Sequence, residues 1–320
     1  MSVSVIIPSV GLRSSLREAV RSAADQTVTP MEIIVVADGS EAFGRVSTLL
    51  AAPSPTDSIT KVVLTDSSQG PAAARNRGVR EARGDFIAFL DDDDLWFPDK
   101  LEKQLTALSG ELGHRSFCLT RCLIRSDRGD YELPTHLPRT RQGIAEYLYG
   151  GPITLVRPSA FVATPSLMVE RTAVLRLPFD EQLSWMEDID WMLRAQSDLG
   201  LSLVYLGQIL TIVDARDSVG RQSLSLRKER DYRWLLAWAD RMLTPRQAAN
   251  FKATHWVRML CQSGRLLEAL RDYSVVMIRH PHVIRYFPTV LLLLLSRIDR
   301  LRGLMQTIAH LLRHSRADGR

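Results

Sequence analysis

The chain predicts an α/β fold, a mostly parallel sheet flanked by helices, followed by an all-helical C-terminal appendage. Three observations predict it. Short apolar runs alternate with amphipathic segments through the first third of the chain, the order that builds a parallel sheet. The run Phe86-Ile87-Ala88-Phe89-Leu90 is apolar on both faces, as buried parallel strands are. Four aspartates, Asp91 to Asp94, follow it at the strand end, where open α/β sheets place ligands. From Arg227 the strand pattern stops and helical stripes replace it.

Taken in order, Val3 to Ile7 is the first strand, closed by Pro8-Ser9. Leu12, Leu16, Ala19 and Ala23 recur at spacings of four, three and four residues, one face of a helix. Glu32 to Val36 is the second strand and ends in Ala37-Asp38-Gly39-Ser40. A right-handed βαβ unit then places Ser9 and Asp38 on one sheet edge. Ala51 to Ser58 has loop composition, Lys61 to Leu64 is a third strand, and Gln69-Gly70-Pro71 is a turn. Ala72 to Ala82 is strongly helix-forming. Past the aspartates, Leu95-Trp96-Phe97 is apolar and Pro98 opens a helix. Phe117 to Arg125 and Ala160 to Val169 are expected strands, with loop between them except for a short helix around Ile144 to Tyr149. Trp191 to Ala195 is a helix, Leu201 to Val213 a closing strand and Asp214 to Ser225 a polar loop. In the tail, Leu266, Leu270, Tyr273 and Met277 make one helical stripe, and Leu291, Leu294, Leu295, Ile298, Leu301 and their successors to Leu312 another. Residues 1–226 are therefore expected as one domain and 227–320 as a basic helical region of three or four helices.

Charge divides at the same place. Residues 227–320 hold 18 Lys/Arg against 7 Asp/Glu, net +11, while residues 1–226 hold 23 against 29, net −6, which together give the chain's +5. The basic tail offers a solvated face or a surface for anionic lipid headgroups, so peripheral membrane contact through it is expected. It carries no recognisable nucleic-acid-binding motif, and no nucleic acid is expected. No run approaches the roughly 20 apolar residues of a membrane span. Three cysteines cannot close a disulfide set, which points to a reducing, cytoplasmic setting. The first residues are expected to form a strand, not a signal peptide. The His residues are expected at the surface.

Candidate chemistry concentrates in two acidic groups. Crowded carboxylates repel unless a cation sits among them, and oxygen-only ligands select a hard divalent ion, Mn2+ or Mg2+. Among Asp91, Asp92 and Asp93, one carboxylate can hold the cation while a neighbour bonds a ribose hydroxyl; Asp94 is expected to face outward or cap. Glu187-Asp188 precedes a helix, where it is either a helix cap or a carboxylate able to take a proton from an acceptor hydroxyl. Asp38 could accept from a base or ribose and Arg75 could donate to a base carbonyl or phosphate, with Pro8 and Ser9 on the same edge. Neither glycine-rich phosphate motif is present, so a phosphate-bearing ligand would be held by metal and arginine.

LREAVRSAADQTVTPMEIIVVADGS, GPAAARNRGVREARGDFIAFLDDDDLWFPDKL and MEDIDWMLRA, in this order, resemble the family 2 glycosyltransferases of the GT-A, Rossmann-like fold. The resemblance covers roughly residues 1–225. It implies an inverting transferase that takes a sugar from a nucleotide-diphosphate donor, UDP-linked by preference, to a glycan or lipid-linked acceptor. It assigns Asp38 and Arg75 to the nucleobase, Asp91 and Asp92 to the ribose and diphosphate, Asp93 to the metal and Asp188 to the general base. Two positions depart from the family pattern: Ala37 replaces an acidic residue and Val10 an aromatic one. The Gln-x-x-Arg-Trp motif of processive synthases is absent after Asp188, which favours transfer of a single sugar. A catalytically silent sugar-nucleotide subunit is the alternative. A nucleotidyltransferase is a weaker one, because Ser9-Val10-Gly11-Leu12-Arg13 makes a poor triphosphate loop.

Overall fold

A computed structural model describes residues 1–291 apart from 54, 67–68, 111–114, 128, 140, 151–159, 184–185, 217–228 and 289. Chain contacts divide it into two compact units, Met1–Leu148 with Pro158–Ser225, and Tyr149–Arg157 with Leu226–Arg320.

The first unit is built on one mixed sheet. β1 (Val3–Ser9), β2 (Glu32–Ala37) and β3 (Thr60–Leu64) alternate with α1 (Leu16–Ala24), α2 (Ser40–Leu50) and α3 (Pro71–Glu81), and β4 (Phe86–Phe89) follows. β1 pairs in parallel with β2 on one side and β4 on the other, and β2 with β3. The register sets Ser9 beside Ala37 and Ala37 beside Leu64, so these strands end together on one edge. β5 (Leu95–Trp96), α4 (Lys100–Ser109), β6 (Ser116–Arg125), β7 (Tyr131–Leu133) and α5 (Ile144–Tyr149) come next. Then follow β8 (Met168–Glu170), α6 (Arg171–Arg176), α7 (Glu187–Asp198) and β9 (Ser202–Asp214). β8 runs antiparallel between β4 and β6, while β9 runs parallel to β6 and carries β5 at the far edge.

The core explains the local choices. α1 buries Leu16, Ala19, Val20 and Ala23 against β1 and β2, and leaves Leu12, expected on the same stripe, 61% exposed ahead of the helix. α3 packs on the sheet through a face of small residues, Ala72, Ala73, Ala74 and Gly78. A Cβ on Gly78 would lie 2.6 Å from Ile6 Cγ2, inside contact distance.

Four expectations are corrected here. Ala160 to Val169 is not a strand throughout: a 3-10 turn occupies Thr164–Ser166 and only Met168–Glu170 pairs. Pro165 has no N–H for a ladder, which interrupts the strand. α7 begins at Glu187, a full turn before Trp191, and β7 was not foreseen. Asp94, expected to face outward or cap, is buried at 3% exposure and accepts from Asp214 N–H at 2.9 Å.

The second unit contains α8 (Glu229–Met242), α9 (Pro245–Phe251), α10 (Val257–Gln262) and α11 (Leu266–Arg279) among its described residues. A capping box starts α9, with Thr244 Oγ1 accepting from Gln247 N–H and Gln247 Oε1 from Thr244 N–H. α11 buries Ala269, Tyr273 and Val276, and the Tyr273 hydroxyl donates to Val283 O at 3.0 Å. Leu270 from the expected stripe is instead 43% exposed, because the packed face is turned from Leu266/Leu270 toward Ala269/Val276. His255 is likewise not a surface group: it stacks on Phe251, and burial, reinforced by Arg258, pushes its imidazole down to about 4. The expected stripe from Leu294 to Leu312 lies outside the described residues.

Candidate active site

A cleft of about 440 Å3 opens at the carboxyl edge of the first unit's parallel strands. Pro8, Ser9, Asp38, Arg75, Asp91, Asp92, Asp93, Glu187 and Asp188, all singled out in the sequence, line it. Arg13 and Thr164, not singled out, line it too.

The floor is the end of β4. Leu90 N–H donates to Ile6 O, which holds the chain in sheet geometry up to the first aspartate. Asp94 N–H then donates to Asp91 O at 3.2 Å, folding the four residues into a turn so that their side chains diverge. Each takes a different partner. Asp91 Oδ1 accepts from Arg75 Nη2 at 2.9 Å, and Asp92 Oδ2 accepts from the Ser9 hydroxyl at 2.5 Å. Asp93 Oδ2 lies 3.0 Å from Arg13 Nη1, while Asp94 turns away to β9. Burial, the strongest influence on Asp92, pushes its carboxyl up to about 6. Ser9 and Arg13 oppose the rise, and Asp93 and Asp91 add to it.

Glu187 and Asp188 form the opposite wall at the start of α7. Met186 before them is left-handed, φ 61°, a conformation that costs a non-glycine residue free energy and recurs at functional sites. Glu187 Oε1 accepts from Arg75 Nη1 at 2.6 Å, so one guanidinium joins both walls. Burial works against the Arg75 charge, but Asp91, Glu187 and Asp188 more than offset it and the net shift is upward. For Glu187 burial pushes the carboxyl up, with Arg75 opposing. The two directions conflict, and the short contact to a guanidinium that two carboxylates keep charged decides for an ionised pair. Asp188 Oδ2 accepts from the Thr164 hydroxyl at 2.8 Å and Oδ1 from Ile189 N–H at 2.8 Å. A carboxylate has about four acceptor sites, so further ones remain for a substrate hydroxyl.

Asp38 is committed to its own neighbourhood. Its carboxylate accepts from the Thr65 hydroxyl, Gln69 N–H and Gly70 N–H, at 3.0, 2.9 and 2.9 Å. Arg13 is placed by the loop after β1, where Gly11 has φ +68° and a Cβ there would strike Arg45 Cβ at 2.7 Å. The lone arginine of that loop was the sequence signal for it. Thr164 gave none, being 24 residues from Asp188 in a segment expected to be strand.

A family model, glycosyl transferase family 2, matches residues 4–166. The chain belongs to this family. It is therefore a glycosyltransferase, with a GT-A-like fold. This family 2 enzyme is 27% identical over 281 residues to the amylovoran biosynthesis glycosyltransferase AmsB of Erwinia amylovora, covering 86% of this chain and 89% of AmsB. It is 41% identical over 103 residues to TuaG of Bacillus subtilis, a putative teichuronic acid biosynthesis glycosyltransferase, covering 32% of this chain and 40% of TuaG. The fold is similar to a crystal structure of S. aureus TarS 1–349 in complex with UDP-GlcNAc, with TM-score 0.56 and 20% identity over 84% of this chain and 72% of that one.

The raised Asp92 carboxyl has a stability consequence. A carboxyl whose folded value lies above its unfolded one stabilises the fold below the unfolded value, and that contribution is lost as pH rises through the folded value. Asp92→Asn is therefore expected to raise the melting temperature at pH 7.5 more than at pH 4.5, read by calorimetry at both values. An equal shift at the two values would contradict the assignment.

Proposed function

We propose that this enzyme is an inverting, metal-dependent glycosyltransferase that moves one sugar from a UDP-sugar to a hydroxyl of a glycan or lipid-linked acceptor. The observation that carries the reading is the juxtaposition of the Asp91–Asp93 carboxylates and Asp188 across a single cleft. The related proteins support it by what their names state. TarS has been captured with UDP-GlcNAc, and AmsB is named for amylovoran biosynthesis. WfgD of Escherichia coli, 35% identical over 106 residues, is named a UDP-Glc glucosyltransferase of a diphosphoundecaprenol-linked acceptor.

Mechanistically, Asp188 takes the proton of the acceptor hydroxyl. The hydroxyl oxygen forms its bond to the anomeric carbon on the face away from the diphosphate. The carbon–oxygen bond to the diphosphate breaks, the electron pair leaves with it, and the configuration inverts. Asp38 faces the nucleobase, with Pro8 and Ser9 beside it, and Asp91 and Asp92 the ribose and diphosphate. Arg75 is placed to hold Asp91 and Glu187 in position as much as to meet the nucleotide.

The cation fits as a shared ligand. Among the described residues no group of three or more His, Cys, Asp or Glu is gathered to hold a metal. Mg2+ is commonly held by one or two carboxylates completed by substrate phosphates. Asp93, with Asp92 beside it, would supply the protein's share. When bound, the ion would offset the charge of the departing diphosphate.

We place the enzyme on the cytoplasmic side, peripheral to a membrane through its second unit. The three cysteines are buried, and none forms a disulfide. No helix among the described residues is long and apolar enough to cross a membrane. α11 and the turn after it expose Leu267 at 83%, Ile278 at 76% and Ile284 at 62%, within the chain's basic third.

Three outcomes are expected. Asp188→Asn keeps UDP-sugar binding by calorimetry and loses transfer by at least about a hundredfold; retained turnover removes Asp188 as base. Asp93→Asn, or EDTA on the unaltered enzyme, abolishes transfer, with circular dichroism of the variant unchanged; full activity in EDTA contradicts metal dependence. The double variant Leu267→Glu/Ile278→Glu sediments less with phosphatidylglycerol vesicles than the unaltered chain does, while its turnover on a soluble acceptor is unchanged.

A further inference from the structure

We propose that Thr164 is a positioning residue for transfer, holding the Asp188 carboxylate in the orientation that receives the acceptor proton, and that a buried platform of Trp96, Lys100 and Gln104 fixes Thr164 in turn. The inference rests on Asp188 being the base.

The geometry runs outward from the core. Lys100 is wholly buried, and its Nζ donates to Gln104 Oε1 at 2.6 Å and sits 4.0 Å from the centroid of the Trp96 ring. Burial pushes this amine down to about 7, so the position is costly for a charge and is held by the amide and the ring together. Gln104, oriented by Lys100, spends both protons of its amide on backbone carbonyls, Cys118 O at 3.1 Å and Ser166 O at 2.8 Å. Trp96 Nε1 donates to Pro165 O at 2.8 Å. Two consecutive carbonyls of the Thr164–Ser166 turn are thereby fixed from below by side chains of β5 and α4. The Ser166 hydroxyl closes the turn onto Ala163 O at 2.7 Å.

Thr164 heads that turn. It is 4% exposed, and its hydroxyl donates to Asp188 Oδ2 at 2.8 Å. β-Branching leaves its side chain few rotamers. Asp188 itself sits at a helix start, where its other hydrogen-bond partner is the backbone of Ile189. With Ile189 N–H on Oδ1, the threonine supplies the contact that fixes the second oxygen. A turn that merely led into β8 would have no need of three buried side chains beneath it. Misplacing a reacting group by about an ångström can cost on the order of a hundredfold in rate.

The test is steady-state kinetics with UDP-sugar and acceptor on the full chain and on Thr164→Val, Thr164→Ser, Trp96→Phe, Asp188→Asn and the Thr164→Val/Trp96→Phe double variant. Thr164→Val, which keeps shape and removes the donor, is expected to lower kcat by about tenfold to a hundredfold with the donor KM unchanged. Thr164→Ser should recover most of it. Trp96→Phe should also lower kcat, and the double variant should be no slower than Thr164→Val, because both changes break one route to Asp188. Unchanged kcat in Thr164→Val, alongside an inactive Asp188→Asn, overturns the inference and leaves the base standing. An active Asp188→Asn overturns the base instead. Equal losses in the Val and Ser variants, or fully multiplicative effects in the double variant, also overturn it, since a fold defect and not the hydroxyl would then be responsible.

Discussion

The cleft depends on one buried arginine. Arg75, 3% exposed on α3, bridges Asp91 at the end of β4 and Glu187 at the start of α7. Its two partners stand 96 residues apart in the chain. Removing a guanidinium from water is expensive, and mutual attraction recovers the cost only where geometry is good and the hydrogen bonds are made. Here two short charge-assisted bonds and the Phe179 ring, 5.9 Å from the guanidinium carbon, supply that environment. A buried pair of this kind contributes more to position than to net stability. It sets the distance between the acidic floor and the wall that carries Asp188.

The same constraint explains why four adjacent aspartates are not equivalent. Repulsion among neighbouring carboxylates falls when each meets a separate donor, and the turn supplies four: Arg75, the Ser9 hydroxyl, Arg13 and the Asp214 amide. Two of these donors are cations and two are neutral. Asp92 at 8% and Asp94 at 3% exposure are buried, and Asp92 Oδ1 also lies 3.7 Å from Arg13 Nε. Asp94 belongs to the sheet, stitching the acidic turn to β9. Asp92 keeps a site facing the cleft but pays for burial with a weakened acidity. Asp91 and Asp93 each meet an arginine, Arg75 and Arg13.

Much of this was legible in the sequence, for reasons that can be named. Apolar runs and period-3.6 patterns give β1 to β4, α1 and α3, though not α2, and parallel strands then bring Ser9, Asp38 and Asp91 to one edge without further assumption. What was not legible depends on contacts between distant segments. Pro165 splits a run that looks like a strand, and only the structure shows the turn being held by Trp96 and Gln104. The face of α11 is chosen by the Tyr273–Val283 contact, which no periodicity records. Asp94 looks exposed beside three other acids until β9, 120 residues later, is seen to meet it.

The start of α7 shows how the second wall is made reactive. Its first turn carries Glu187, Asp188 and Asp190 where unpaired backbone N–H groups favour negative charge. Three carboxylates in one turn would repel each other, and again each is given its own partner: Arg75 for Glu187, Thr164 for Asp188 and Arg194 for Asp190, the last at 2.7 Å. Only Asp188 is met by neutral donors alone. A carboxylate paired with a cation is a poor proton acceptor, since protonation must give up the ion pair. One held by a hydroxyl and an amide keeps its orientation without that penalty. The arrangement therefore gives neighbouring residues of like charge different partners, Glu187 the Arg75 guanidinium and Asp188 the Thr164 hydroxyl and the Ile189 amide.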